Sequence, residues 1–230
     1  MSLPWADLLL GRASLSRVLG DRVLARAGRD VARPGARVLL AGAGRRQSSS
    51  EELVLRALGP SPAVTWANLD PGRYPHVAAD LAAGWPFREG SFDVVVATWV
   101  IEHLAEPPRF FAEAHRVLSS GGAFIGAVPF LYRIHASPDD FWRFTEAAVT
   151  HLGQTAGFWG VVAHPIGGGP FSAGVNLLWP LLRIPAVALI AYAVAWFLDS
   201  MLAVATLLLG KGGELANAYP MGYVVVMRKK

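Results

Sequence analysis

Imidazole is the side chain suited to moving a proton near neutral pH, and two of the six histidines, His103 and His135, stand among residues that could form a site. Glu102 stands next to the first of them, and Asp140 lies shortly after the second. The same stretch, 129–145, supplies aromatic surfaces in Tyr132, Phe141 and Trp142, and a guanidinium in Arg143. Together these supply the parts of a substrate pocket: aromatic platforms, a titratable imidazole and a charged fork that grips carboxylates or phosphates. The same residues also allow a plainer arrangement, in which Asp140 and Arg143 pair with each other and Thr145 caps a helix beginning at Glu146. A second constellation lies upstream. Gly42-Ala43-Gly44 closes a short apolar run, and glycines there let backbone N–H groups approach a ligand, although a tight turn without a ligand would use them equally. Asp70 ends a second apolar run, the position at which open α/β sheets present a carboxylate to a ribose diol. The chain has no cysteine, which excludes disulfides, thiolate zinc sites and cysteine nucleophiles, and no metal-ligand spacing stands out.

The elements that must position these groups follow from hydrophobic period. Residues 5–31 carry apolar side chains at helical spacing and predict one or two amphipathic helices, stopped at Arg33-Pro34-Gly35. Val38-Leu39-Leu40-Ala41 reads as a strand, and Ser48 to Glu52 as the start of the next helix. Further strands are expected at 63–68, 77–79, 92–98, 122–128, 158–163 and 222–227, with helices at about 107–118 and after Thr145. Strands apolar on both faces and alternating with helices imply a Rossmann-like α/β fold: a mostly parallel, seven-stranded sheet with helices on both faces.

Taken in order, these pieces resemble a known family. Arg37 to Gly44, Asn68-Leu69-Asp70 and Ala79-Asp80-Leu81 are similar to the cofactor half of class I S-adenosylmethionine (SAM) methyltransferases. Trp85 to Val95, Trp99-Val100-Ile101-Glu102-His103-Leu104 and Arg116 to Gly122 resemble the broad small-molecule group often termed type 11. The resemblance covers about 37–163 and the last strand. It implies SAM as cofactor, with Ala41, Gly42 and Gly44 at its methionine end, Asp70 on the ribose, Asp80 and Leu81 at the adenine, and Thr98 near the sulfonium. It places Glu102, Tyr132, Asp140 and Arg143 on the substrate side, and makes His103 and His135 the candidate bases for methyl transfer. Two positions depart from the family pattern. Leu40 stands where an acid is usual, and Arg45-Arg46 stands where a small residue and a third glycine are usual. A domain that has lost catalysis and serves as a scaffold at a membrane is the alternative these departures raise.

Hydrophobic residues make up 53% of the chain and charged ones 17%, against about 25% charged in ordinary soluble proteins. The deficit is concentrated in 175–209, whose only charges are Arg183 and Asp199. That stretch divides the chain into N-terminal helices (1–34), a SAM-binding domain (35–165 and 219–230) and an apolar helical insertion (166–218). Since the last strand must rejoin the sheet, the insertion leaves and returns on one side. A hairpin lying in one leaflet, a homodimer contact or a lid on the pocket all satisfy that constraint, the membrane surface being preferred. The acceptor is accordingly expected to be a small or lipid-linked molecule, including one of glycan assembly. The net charge of +4 comes from arginines spread along the chain without aromatic interleaving, so nucleic acid is not expected as a partner. The first ten residues lack a basic start before their short apolar run, which favours the cytoplasm, at or near the inner face of the membrane.

Overall fold

In the computed structural model, which describes residues 14–43, 48–73, 75–136, 139–182, 184–210 and 218–230, the chain forms a seven-stranded sheet in the order β3-β2-β1-β4-β5-β7-β6. The strands are β1 (Arg37–Ala41), β2 (Ala63–Asn68), β3 (Val77–Ala78), β4 (Phe92–Thr98), β5 (Leu118–Pro129), β6 (Gly160–Ile166) and β7 (Gly222–Arg228). β1 to β5 pair in parallel, and β7 runs antiparallel between β5 and β6. The longer helices are α1 (Leu15–Asp30), α2 (Ser49–Leu58), α3 (Pro107–Val117), α4 (Glu146–Thr155), α5 (Pro170–Leu178) and α6 (Pro185–Leu208).

Strand periodicity sorts the two cores. Leu39 and Ala41 of β1 face a cluster built with Phe110, Phe111, Phe124 and Val149, under α3 and α4. Val38 and Leu40 face the other cluster, with Leu24, Ala27, Val54 and Leu58 of α1 and α2. A sheet buried on both faces needs apolar residues at successive positions, which is why β1 and β4 read as continuous hydrophobic runs. The amino ends of β1 and β4 are tied by Asp93, which accepts hydrogen bonds from the Arg37 backbone at 2.9 Å and from its guanidinium.

Local signals explain the helix starts. Ser48 and Glu51 form a reciprocal capping box at α2, and Thr145 accepts from the Ala148 N–H at α4, the plainer role considered for it. Some boundaries differ from the sequence expectation. The strand expected at 158–163 begins at Gly160 and runs to Ile166, because Phe158 is buried against the His115 ring rather than laddered. The fifth strand starts at Leu118, directly after α3, and the third is reduced to two residues. Any helix within residues 1–13 lies outside the described residues.

The apolar insertion is a helical hairpin. Ile166 at the end of β6 pairs with Gly222 at the start of β7, so the hairpin leaves and rejoins the sheet at one point. α5 and α6 run antiparallel, with Trp179 stacked on Tyr192 at one end and Asp199 against the start of α5 at the other. Asp199 is the acid that interrupts the apolar run of α6, and it is buried. Its carboxylate accepts from the N–H groups of Phe171 and Ser172 at 3.0 and 2.9 Å. It therefore caps α5 from another helix, as the residue at the cap position, Gly169, has no side chain. Gly169 is required there: φ is +148°, and a Cβ would overlap the Asp199 carboxylate. Asp199→Ala is expected to destabilise the hairpin by about 2 kcal/mol, since a buried charge-assisted cap is lost. Urea denaturation of the two proteins measures it, and equal stability would show that the cap contributes nothing.

Candidate active site

The carboxyl ends of β1, β2 and β4 converge on a cleft of about 590 Å³, lined among others by Gly42, Asn68, Asp70, Asp80, Leu81 and His103. Parallel sheets place ligand sites at these ends, where strands give way to loops on one edge of the fold. Gly42 follows β1 with φ +86°, and its N–H donates to Ala67 at 2.8 Å. A Cβ at this position would overlap the Val100 side chain, so the close approach of the β1 and β4 loops needs glycine. Asn68 holds the neighbouring loop. Its side-chain amide donates to the Gly42 carbonyl at 2.5 Å and its oxygen accepts from the Asp70 N–H at 2.9 Å.

Asp70 and Asp80 are exposed carboxylates on the cleft wall. Each accepts from a backbone N–H two residues on, Gly72 for Asp70 and Ala82 for Asp80, and these turns fix the direction of the carboxylates. Leu81 both lines the cleft and belongs to the core beneath it. Ala41 is fully buried one position below the turn, and Thr98, at the end of β4, is buried rather than on the cleft wall. Gly44, Arg45 and Arg46 lie outside the described residues. Leu40, at the position where the family pattern has an acid, is packed in the core on the α1 and α2 side.

Beyond Thr98 the backbone is strained: Trp99 has φ +58°, a region costly for a bulky residue and found mostly where function demands it. Trp99 lines the cleft on one side and, on the other, a smaller pocket of 110 Å³ formed with Ser14, Ser16, Arg17, Tyr132 and His135. Ile101–His103 then forms one turn of 3₁₀ helix that buries Glu102 completely. His103 faces the cleft and His135 the smaller pocket, with their rings 5.1 Å apart edge to face. Both imidazoles approach Glu102 Oε1, His135 Nε2 at 3.5 Å and His103 Nε2 at 3.9 Å. The Glu102 carboxylate, opposed by burial, holds the His135 pKa above the usual histidine value.

Asp140 and Arg143 pair with each other, as the plainer sequence reading allowed, through two guanidinium nitrogens at 2.5 and 2.8 Å. The pairing occurs in a loop without regular secondary structure rather than on a helix. Arg143 also donates to the carbonyls of Tyr132 and Arg133, and Asp140 accepts from the His135 N–H at 2.7 Å. Arg143 holds the Asp140 carboxyl well below the usual carboxylate range. These two charges thus tie the loop together and present His135 and Tyr132; neither lines the cleft. The loop is fastened to Glu102 as well, whose backbone carbonyl accepts from Phe141 at 2.8 Å. Asn68, Trp99, Val100, Leu104 and Phe141 also line the cleft. The first four stand in the segments that resemble the family and Phe141 among the aromatic residues of 129–145, but as ordinary amide, aromatic and aliphatic side chains they are not singled out as cleft residues by sequence.

Known proteins resemble this chain in part of its sequence and in its fold. Residues 50–126 match the family model described as a methyltransferase domain. A probable S-adenosylmethionine-dependent methyltransferase of Mycolicibacterium smegmatis is 39% identical over 98 residues, covering 37% of this chain and 37% of that protein. The likeness to this curated relative therefore spans little more than a third of its length. Among solved structures, the [4+2]-cyclase SpnF superposes over 95% of this chain and 84% of its own, with a TM-score of 0.58 at 19% identity. A SAM-dependent methyltransferase from Mesorhizobium loti gives a TM-score of 0.55 at 16% identity, over 89% of this chain and 96% of that one. At such identities the structural likeness concerns the fold. The ordered motifs, the domain-model match over 50–126 and the sheet order agree in being similar to those of class I SAM-dependent methyltransferases.

Proposed function

We propose that this chain transfers a methyl group from SAM to a small, lipid-linked or glycan-related acceptor at a membrane surface. The observation that carries the cofactor reading is the cleft itself, where a turn that admits only glycine at Gly42 faces two directed carboxylates, Asp70 and Asp80. A nucleoside fits such a site: a diol pairs with Asp70, an exocyclic amine with Asp80, and Leu81 offers an apolar surface to a base. SAM would supply a methyl carbon already activated by positive sulfur. What remains for the protein is to align an acceptor with that carbon, exclude water and, where the acceptor needs it, take up a proton. His103, on the cleft wall, and His135, in the adjoining pocket, are our candidates for that last role in the ion-free protein.

The resemblance to a protein named a [4+2]-cyclase is a reminder that this fold hosts different reactions, so cofactor binding is the first property to measure. Calorimetric titration of the full chain with SAM is expected to show one site per chain. Asp70→Ala should weaken it more than about tenfold, the loss expected when hydrogen bonds to a charged group disappear. Unchanged affinity in a folded variant would contradict the assignment. No binding at all would favour the non-catalytic scaffold, the reading supported by Leu40 in place of the usual acid.

The membrane part of the proposal rests on α6. Ala186–Leu208 has a mean hydropathy of 2.0 and only 22% of that stretch is buried within the fold. Its buried positions, Ala188, Tyr192, Ala195, Asp199 and Thr206, recur at helical spacing on one stripe, with Tyr192 clustered with Leu15 and Val18 of α1 and Ala173 of α5 and Asp199 capping α5. The rest exposes Ile190, Val194, Trp196, Phe197, Met201 and Leu207, with no charge among them. A face of this extent suits insertion into one leaflet, and the pairing of Ile166 with Gly222 suits a hairpin better than a crossing. The protein is expected to float with anionic liposomes and to remain bound in high salt, because apolar insertion is not screened. A monomer that stays with the soluble fraction would overturn the membrane reading.

A further inference from the structure

The two histidines and Glu102 point to a property outside methyl transfer. Glu102 is 0% exposed, and neither carboxylate oxygen has a hydrogen-bond partner. A buried, ionisable carboxylate left in this state costs several kcal/mol unless something charged satisfies it. Its Oε1 is approached from two sides by imidazole nitrogens, both of them Nε2. The opposite nitrogen of each ring is already engaged. His103 Nδ1 donates to the Asp139 carbonyl at 2.6 Å, and His135 Nδ1 lies 3.3 Å from Asp140 Oδ2. Asp140 is in turn fixed by Arg143.

That outer arrangement is what metal-ligating histidines need. A proton held on Nδ1 by a carbonyl or carboxylate leaves the Nε2 lone pair directed inward, with its orientation set. The inner distances agree. Two ligands at about 2.1 Å from a tetrahedral ion lie about 3.4 Å from each other. Here the two nitrogen-to-oxygen separations are 3.5 and 3.9 Å, and the three ligand atoms all lie within 4.8 Å of one another. We propose that Glu102, His103 and His135 form a binding site for a divalent transition-metal ion, of the imidazole-and-carboxylate class that suits zinc.

Three protein ligands leave a coordination position open, as in catalytic rather than structural sites. His103 is on the wall of the large cleft and His135 on that of the smaller pocket, so the ion would sit where the two adjoin. An oxygen or nitrogen donor of a bound molecule could reach it there. The site itself does not depend on the methyl-transfer reading, and ion binding can succeed or fail independently of SAM.

The test uses the full chain stripped with a chelator and titrated with Zn²⁺ by calorimetry, and with Co²⁺ as a visible-absorption probe. One ion per chain is expected, with cobalt bands of low coordination number. Glu102→Gln, which keeps the shape and removes the charge, and His135→Ala should each weaken binding at least about tenfold, while His151→Ala, on the exposed face of α4, leaves it unchanged. X-ray absorption of the zinc-loaded wild-type protein serves independently of any variant: two imidazole nitrogens and carboxylate oxygen at about 2.0–2.2 Å are expected. No stoichiometric binding, equal affinity in the folded Glu102→Gln variant, or a zinc shell without imidazole would each overturn the proposal.

Discussion

The close approach of two loops, one after β1 and one after β4, is the constraint from which the site's geometry follows. Gly42 meets Val100 so tightly that no side chain can be added, and this brings the end of β1 beside the segment 99–103. Asn68 extends the contact to β2 through its bonds to Gly42 and Asp70. Three neighbouring strands thus deliver their last residues to one wall. The strained Trp99 follows directly from β4, with its N–H bonded to Ala127 on β5, and it divides the cleft from the smaller pocket. Such strain persists only where the surroundings over-determine the conformation, and the strand ladders on both sides of β4 do so here.

A second feature with wide consequences is the treatment of charge in an apolar setting. Asp199 sits within the most hydrophobic helix, yet it is spent on the N-terminus of α5, where two backbone donors would otherwise lack partners. Asp140 likewise disappears into the loop that carries His135. Glu102 differs from both. It is buried as deeply, but its nearest polar neighbours are the inward faces of two imidazoles. The contrast separates two carboxylates held by hydrogen bonds within the fold from one whose oxygens have only imidazoles nearby.

Much of this was legible in sequence, for reasons that differ by element. β1 and β4 announced themselves as apolar runs, since both faces of each are covered. Gly42 and Asp70 were readable because the turn and the strand end restrict residue type. The length and apolarity of α6 were plain, whereas the partner of Asp199 was not: the cap joins residues 27 and 28 positions apart. Asp140 and Arg143 could be foreseen as a pair, but not that the pair would hold a loop instead of facing the cleft. Glu102 and His103 are adjacent, while His135 arrives from a loop after the next strand, so spacing held no hint that the three would meet. Asn68 and Trp99 gained their roles only from tertiary position.

The account stands or falls on the cleft at the strand ends being the nucleoside site. A crystal structure of the full chain with S-adenosylhomocysteine tests this most directly. The account predicts ribose hydroxyls on the Asp70 carboxylate, adenine beside Asp80 and Leu81, and the amino-acid end over Gly42. Density for the ligand elsewhere on the fold, or against this cleft but away from Asp70 and Asp80, would contradict it.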